Sequence, residues 1–146
     1  MTKLFGMIMP VLAGAAVLAG GCTSLTGGGP HKVVLNEGVC LNVRFLLLNL
    51  NKTNHVVLDN TKHSEQQGGM SITFEKFPVI VKGAVPQGSV IGDQLSTIRL
   101  HAEPGEQATV DLVPTFTGTF KATCGTSFKQ ESGVQIQQND ISFQIK

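Results

Sequence analysis

The feature that most constrains the fold of this chain is a period-two alternation of apolar and polar residues over positions 109–124. Because successive side chains of a β-strand point to opposite faces of a sheet, this pattern predicts one buried and one solvated face. Pro114 and Gly118 are expected to bend the strand or divide it in two. The even positions carry Val110, Leu112, Phe116, Phe120, Ala122 and Cys124, and the odd positions carry Thr109, Asp111, Thr115, Thr117, Thr119, Lys121 and Thr123.

Shorter alternating runs occur at residues 98–102 and 141–145, and no segment has the periodicity of an amphipathic helix. The apolar run Leu41–Leu50 changes phase midway, which indicates a strand that is buried on both faces or contains a bulge. Turn signals occur at Asn36–Gly38, Asn51–Asn54, Gln67–Gly69, Pro86–Gly88, Pro104–Gly105, Ser132–Gly133 and Asn139–Asp140. Seven or eight strands at this spacing predict an all-β domain, an antiparallel β-sandwich with an immunoglobulin-like Greek key. Its predicted core contains Ile98, Leu100, Phe116, Phe120, Phe143 and Ile145.

The N-terminus has the layout of a secretory signal peptide. Lys3 provides a short positive region, and the run Leu4–Ala19 contains no charged residue and ends in small residues. A membrane-spanning helix of the mature protein needs roughly 20 apolar residues with anchoring flanks, whereas this run is interrupted by glycine and proline. The sequence therefore predicts that residues 1–21 are removed during export.

The end of this segment, Leu18-Ala19-Gly20-Gly21-Cys22, resembles the lipobox of bacterial prolipoproteins. The resemblance implies that Cys22 is diacylglycerylated and becomes the first residue of the mature protein. By the sorting rule of that family, Thr23 in place of an aspartate favours the outer membrane, with the protein in the periplasm. Residues 22–30 are rich in glycine and serine and are expected to form a lipidated tether before one domain at residues 31–146.

Composition limits the partners of this domain. The net charge is +1 and the charged residues are scattered, so the domain as a whole has no electrostatic footprint for nucleic acid or an anionic membrane surface. Tryptophan and tyrosine are absent, although many protein-binding surfaces rely on them. A binding surface in this protein must therefore use phenylalanine, aliphatic and polar side chains.

Two cysteines remain after lipidation, Cys40 and Cys124. Because the extracytoplasmic compartment oxidises thiols, a disulfide between them is the expected state. On the chain-entropy model, closing this 84-residue separation stabilises the fold by roughly 4 to 5 kcal/mol. Both cysteines are expected on strands, with the Cys124 sulfur pointing inward because it shares its phase with Phe120.

The sequence contains no pattern typical of an enzyme. G-x-S-x-G, H-E-x-x-H and C-x-x-C motifs and nucleotide-binding loops are all missing. The pairs Asp59 with His63 and His101 with Glu103 are close in sequence, but neither has a convergent third partner. We therefore expect solvated polar residues at both positions, no catalytic residues, no cofactor and no small-molecule substrate.

Two segments resemble cupredoxin domains. Asn49–Val57 is similar to the strand, asparagine-containing turn and histidine of that family, and Glu103–Cys124 is similar to its later Pro-Gly turn and cysteine-ending strand. The resemblance implies a cupredoxin-like sandwich in which His55 and Cys124 match copper ligands. A blue-copper site also needs a second histidine and usually a methionine, and neither follows Cys124. We therefore expect no metal site.

Three classes of function remain open at this point. The first is a non-catalytic binding or assembly module of the cell envelope, in secretion, conjugation or a similar accessory role, with an envelope protein as partner. The second is a metal-handling cupredoxin-like protein with His55, Cys124 and one of His63 and His101 as ligands. The third is a periplasmic inhibitor or exclusion factor acting through the polar stretch Asn60–Gly69.

Overall fold

The computed structural model describes residues 29–62 and 65–146, which form nine strands and one short helix. In chain order these are β1 (His31–Leu35), α1 (Glu37–Asn42), β2 (Phe45–Leu48), β3 (Asn54–Asp59), β4 (Gln67–Phe77), β5 (Val79–Lys82), β6 (Ser96–Ala102), β7 (Gln107–Pro114), β8 (Gly118–Gln130) and β9 (Gly133–Ile145). The predicted all-β sandwich is confirmed.

The strands form two sheets. The four-stranded sheet has the order β1-β3-β7-β5, and the five-stranded sheet has the order β2-β9-β8-β4-β6. Most neighbours are antiparallel, as predicted, but β1 runs parallel to β3 and β2 runs parallel to β9. Both sheets are therefore mixed, and both parallel pairs involve an edge strand adjacent in sequence to α1.

The core lies between the sheets and is dominated by aliphatic side chains and phenylalanine. Phe74, Phe77 and Phe143 are fully buried, and their ring centroids lie 5.0 to 5.9 Å apart. The alternating pattern placed four core residues correctly, namely Ile98, Leu100, Phe143 and Ile145. Phe120 is partly buried and packs against the core.

Phe116 is the exception among the predicted core residues, since its side chain is 58% exposed. Strand β7 ends at Pro114 and β8 begins at Gly118, whose φ of 142° suits only glycine without strain. The three residues between the strands form a turn, so the alternation does not continue through Phe116. The prediction of a buried Phe116 is therefore wrong.

The prediction that the chain has no helix is wrong at one place. The Asn36 side chain accepts a hydrogen bond from the Val39 amide, 2.9 Å long, and caps the N-terminus of α1. With six residues this helix is too short to produce a recognisable helical period. The run Leu41–Leu50 consequently splits between the end of the helix and β2.

Two predicted turns lie inside strands. Gln67–Gly69 opens β4, where the side chains of Ser127 and His101 occupy the space into which Cβ atoms of Gly68 and Gly69 would project. Asn139, in the second predicted turn, lies within β9, and its amide donates hydrogen bonds to the carbonyl oxygens of Cys40 and Val43. The two glycines allow close packing against β4, and Asn139 binds the backbone around the end of α1, so both segments have a role other than forming a turn.

Candidate binding groove at strand β5

The predicted disulfide between Cys40 and Cys124 is present, and both residues are fully buried. Their Cα atoms lie 5.4 Å apart, and the bond joins α1 to β8. Cys40 therefore lies on a helix and not on a strand as predicted. A disulfide-bonded Cys124 has no thiolate to offer a metal ion.

His55 does not approach Cys124. Its strand neighbours Val56 and Leu58 are core residues of the four-stranded sheet, but His55 itself points to the outer face. There its Nδ1 lies 2.6 Å from Oδ1 of Asp111, which is opposite it on β7. The structure thus separates the two residues that the cupredoxin resemblance paired, and the metal-handling alternative loses its proposed ligands. Among the described residues, no three His, Cys, Asp or Glu side chains converge.

The other residues that the sequence singled out form no larger cluster among those that the structure describes. His101 Nε2 lies 2.8 Å from Glu103 Oε1, and both side chains are more than half exposed. Asp59 accepts hydrogen bonds from the hydroxyl and the backbone amide of Thr61, which lower the pKa of its carboxyl. His63 and Cys22 lie outside the described residues. The Asp59–His63 pair and the lipidation site therefore stay predictions.

The polar stretch 60–69, the predicted inhibitory loop, is partly internal. Asn60 is fully buried, and its amide donates hydrogen bonds to the carbonyl oxygens of Gly68 and Ala102. Gln67 is 2% exposed and donates to the Asn60 side chain. The two ends of this stretch therefore position the connection between β3 and β4, so they are not available to a partner.

The most distinctive surface feature is an apolar groove beside β5. Strand β5 pairs with β7 on one side and is the edge of the four-stranded sheet. The groove has a volume of about 360 Å³. It is lined by Val79, Ile80, Val81, Val85, Ile91, Gly92, Asp93, Gln94, Thr115 and Phe116.

Hydrogen bonds fix the walls of this groove. The amide and the hydroxyl of Thr115 both donate to the Pro78 carbonyl, at 2.8 and 3.0 Å, which holds the β7–β8 turn against the start of β5. Across the groove, Val90 and Thr97 exchange two backbone hydrogen bonds of 2.8 Å. These bonds attach the loop 83–95 to β6, so the groove is formed before any partner arrives.

The groove concentrates exposed apolar surface. Of the eleven large apolar side chains exposed in the described residues, six lie in or beside it. They are Ile80, Val85, Val90, Ile91, Leu95 and Phe116. Contiguous exposed patches of this kind usually mark interaction sites in soluble proteins. Sequence reasoning missed the groove, although the nearly uncharged stretch 79–95 was a usable signal.

The described part of the chain has no helix that is both long and apolar enough to cross a membrane. No known protein family matches the sequence, and no curated protein matches it either.

Several solved structures show weak structural likeness. A cysteine protease inhibitor from Entamoeba histolytica has a TM-score of 0.42 and 19% identity, covering 81% of this chain and all of that chain. A multicopper oxidase has a TM-score of 0.43 and 9% identity, covering 80% of this chain and 44% of that chain. The solution structure of amebosin has a TM-score of 0.30 and 12% identity, covering 81% of this chain and all of that chain. With TM-scores below 0.5, these likenesses carry no argument about function.

Proposed function

We propose that this chain is a non-catalytic binding module of the bacterial cell envelope, held at the outer membrane by lipid on Cys22. Its proposed partner is an envelope protein that lays an extended segment along β5. The observation that carries this proposal is the combination of a free sheet edge with a preformed apolar groove.

An edge strand offers unpaired backbone N–H and C=O groups to an incoming strand, and neighbouring pockets select its side chains. In β5 this edge is short and carries one charged residue, Lys82, at its end. Ile80 at its centre is 57% exposed. An exposed isoleucine on a free edge is a liability unless a partner covers it, which favours a binding role for this edge.

The chemistry of the groove limits the segment that it can accept. Asp93 is the single charged residue among the lining side chains, and the others are aliphatic, aromatic or uncharged polar. We therefore propose that the partner segment is extended and has apolar side chains at alternate positions, because alternate residues of an added strand face the same way.

A capture experiment tests this proposal. Ile80→Lys places a charge at the centre of the edge, and Val134→Lys is a matched control because Val134 is 68% exposed in another part of the fold. From detergent-solubilised envelopes, the wild type and Val134→Lys are expected to capture the same protein, whereas Ile80→Lys captures little of it. Equal capture by all three proteins would contradict the proposed site.

The lipid anchor has its own test. Replacing Cys22 with serine removes the thiol that the lipobox resemblance marks for acylation. The variant is expected in the soluble periplasm or as an uncleaved precursor, as followed by fractionation and mass spectrometry. Cys22→Ser protein of mature size in the membrane fraction would refute the anchor.

A further inference from the structure

A second group of exposed apolar side chains lies at the opposite edge of the fold, on the strands β1 and β2, here called the β1–β2 flank. Phe45 and Leu47 of β2 are 65% and 42% exposed, while the alternate residues Leu46 and Leu48 pack into the core. Val34 of β1 is 37% exposed on the outer face of the other sheet, since Val33 and Leu35 are core residues. In the four-stranded sheet, β1 and β5 are the two outer strands, so this flank is separate from the groove.

The flank is joined directly to the point where the tether ends. His31 is the first residue of β1, and its amide donates a 3.2 Å hydrogen bond to the Thr53 carbonyl. Its ring Nε2 lies 3.2 Å from the Leu47 carbonyl oxygen. The first residue of the domain is therefore held beside Leu47, two positions from Phe45.

The tether limits how far this flank can move from a membrane anchor. Residues 23–30 separate Cys22 from His31, and these eight residues span at most roughly 26 to 29 Å when fully extended. The opposite edge strand of the five-stranded sheet, β6, lies four strand spacings from β2, or roughly 19 Å, so it is farther from the anchor than the flank is.

The charges around Phe45 and Leu47 suit phospholipid headgroups. Strand β2 contains no acidic residue, and exposed Arg44 directly precedes it. The outward neighbours of Phe45 across the sheet are Ser142 and then Lys121. The acid on β9, Asp140, accepts a hydrogen bond from Thr123.

From these observations we infer that the β1–β2 flank is a membrane-facing surface, with Phe45 and Leu47 inserted among the phospholipid headgroups. The inference rests on the lipid anchor of the proposed function. The anchor brings this flank to the bilayer, basic side chains attract anionic headgroups, and the two apolar side chains leave water at the interface. The groove at β5 then remains open to the periplasm.

Because the natural chain contains no tryptophan or tyrosine, a single introduced tryptophan reports on its own position. Phe45→Trp tests the flank, and Val90→Trp is a matched control because both native side chains are 65% exposed and Val90 pairs with β6, the opposite edge of that sheet. The lipidated mature proteins are incorporated into phosphatidylethanolamine and phosphatidylglycerol vesicles with brominated acyl chains, and fluorescence is read on the fraction that floats. Far-UV circular dichroism checks the fold, and Leu47→Trp provides a second reporter if Phe45→Trp misfolds.

The tryptophan at position 45 is expected to emit at shorter wavelength and to be quenched roughly fivefold more than the one at position 90, since interfacial side chains lie about 5 to 10 Å deep. Equal quenching at both positions would overturn the inference while leaving the anchor intact. A blue shift without bromine quenching that grows with protein density would assign the flank to a second copy of the chain, which also overturns it. Protein that does not float refutes the anchor and this inference together.

Discussion

The β5 groove and the β1–β2 flank both expose large apolar side chains, yet their surroundings differ. The groove is concave, borders a free strand edge and has walls fixed by hydrogen bonds from Thr115 and Val90. The flank lies at the opposite edge of the four-stranded sheet from β5, and His31 ties its two strands together beside the end of the tether. Exposed apolar area alone therefore does not define what a site binds. The unpaired backbone groups at the edge of β5 favour a partner that adds a strand there. The closeness of the flank to the anchor favours contact of the flank with phospholipid.

The largest expected effect is the difference in unfolding free energy between substituting a core phenylalanine and substituting a surface phenylalanine. Phe143→Ala removes a fully buried ring and is expected to cost about 3 to 5 kcal/mol of unfolding free energy. Phe116→Ala changes an exposed residue at the rim of the groove and is expected to cost less than about 0.5 kcal/mol while weakening partner capture. Urea unfolding of both variants, followed by circular dichroism, makes the measurement. Similar losses of stability would mean that Phe116 is a core residue after all.

The next prediction concerns the loss of the disulfide, which lies close to the flank and not at the groove. It fixes α1, and α1 connects β1 to β2 along the chain. Replacing both Cys40 and Cys124 with alanine is expected to lower the unfolding free energy by roughly 2 to 5 kcal/mol. Amide hydrogen exchange should then show a larger loss of protection in β1 and β2 than in β5 and β7.

A uniform loss of protection across all strands would contradict this local role of the disulfide. The matched control is a core substitution without a cysteine, Phe74→Ala, which lies on β4 and leaves the link between α1 and β8 in place.

The predictions from sequence succeeded where the pattern is a local property of one strand, and they failed where a strand ends or a helix is very short. Alternation placed Ile98 and Leu100 correctly, because a period of two is a local property of a strand. It failed at Phe116 because Pro114 ends β7, and a turn does not preserve the phase. The six-residue helix containing Cys40 was missed because it has fewer than two full turns.

The candidate groove could not be predicted in this way. It joins the stretch 79–94 to Thr115 and Phe116, residues that are distant in sequence and meet because β5 pairs with β7. The disulfide was predictable because it depends on the compartment and on the number of cysteines more than on local structure. The cupredoxin resemblance assigned His55 and Cys124 a shared role, but the alternation of β3 turns His55 outward.

Site-specific photocrosslinking in living cells tests whether β5 receives a strand from an envelope protein. A photoreactive amino acid replaces Ile80 on the edge strand in one strain, and replaces Lys121 on the outer face of β8 in another. If β5 receives such a strand, position 80 gives one discrete protein adduct after irradiation and position 121 does not give it. The absence of any adduct at position 80, or the same adduct at both positions, would rule out strand addition at β5.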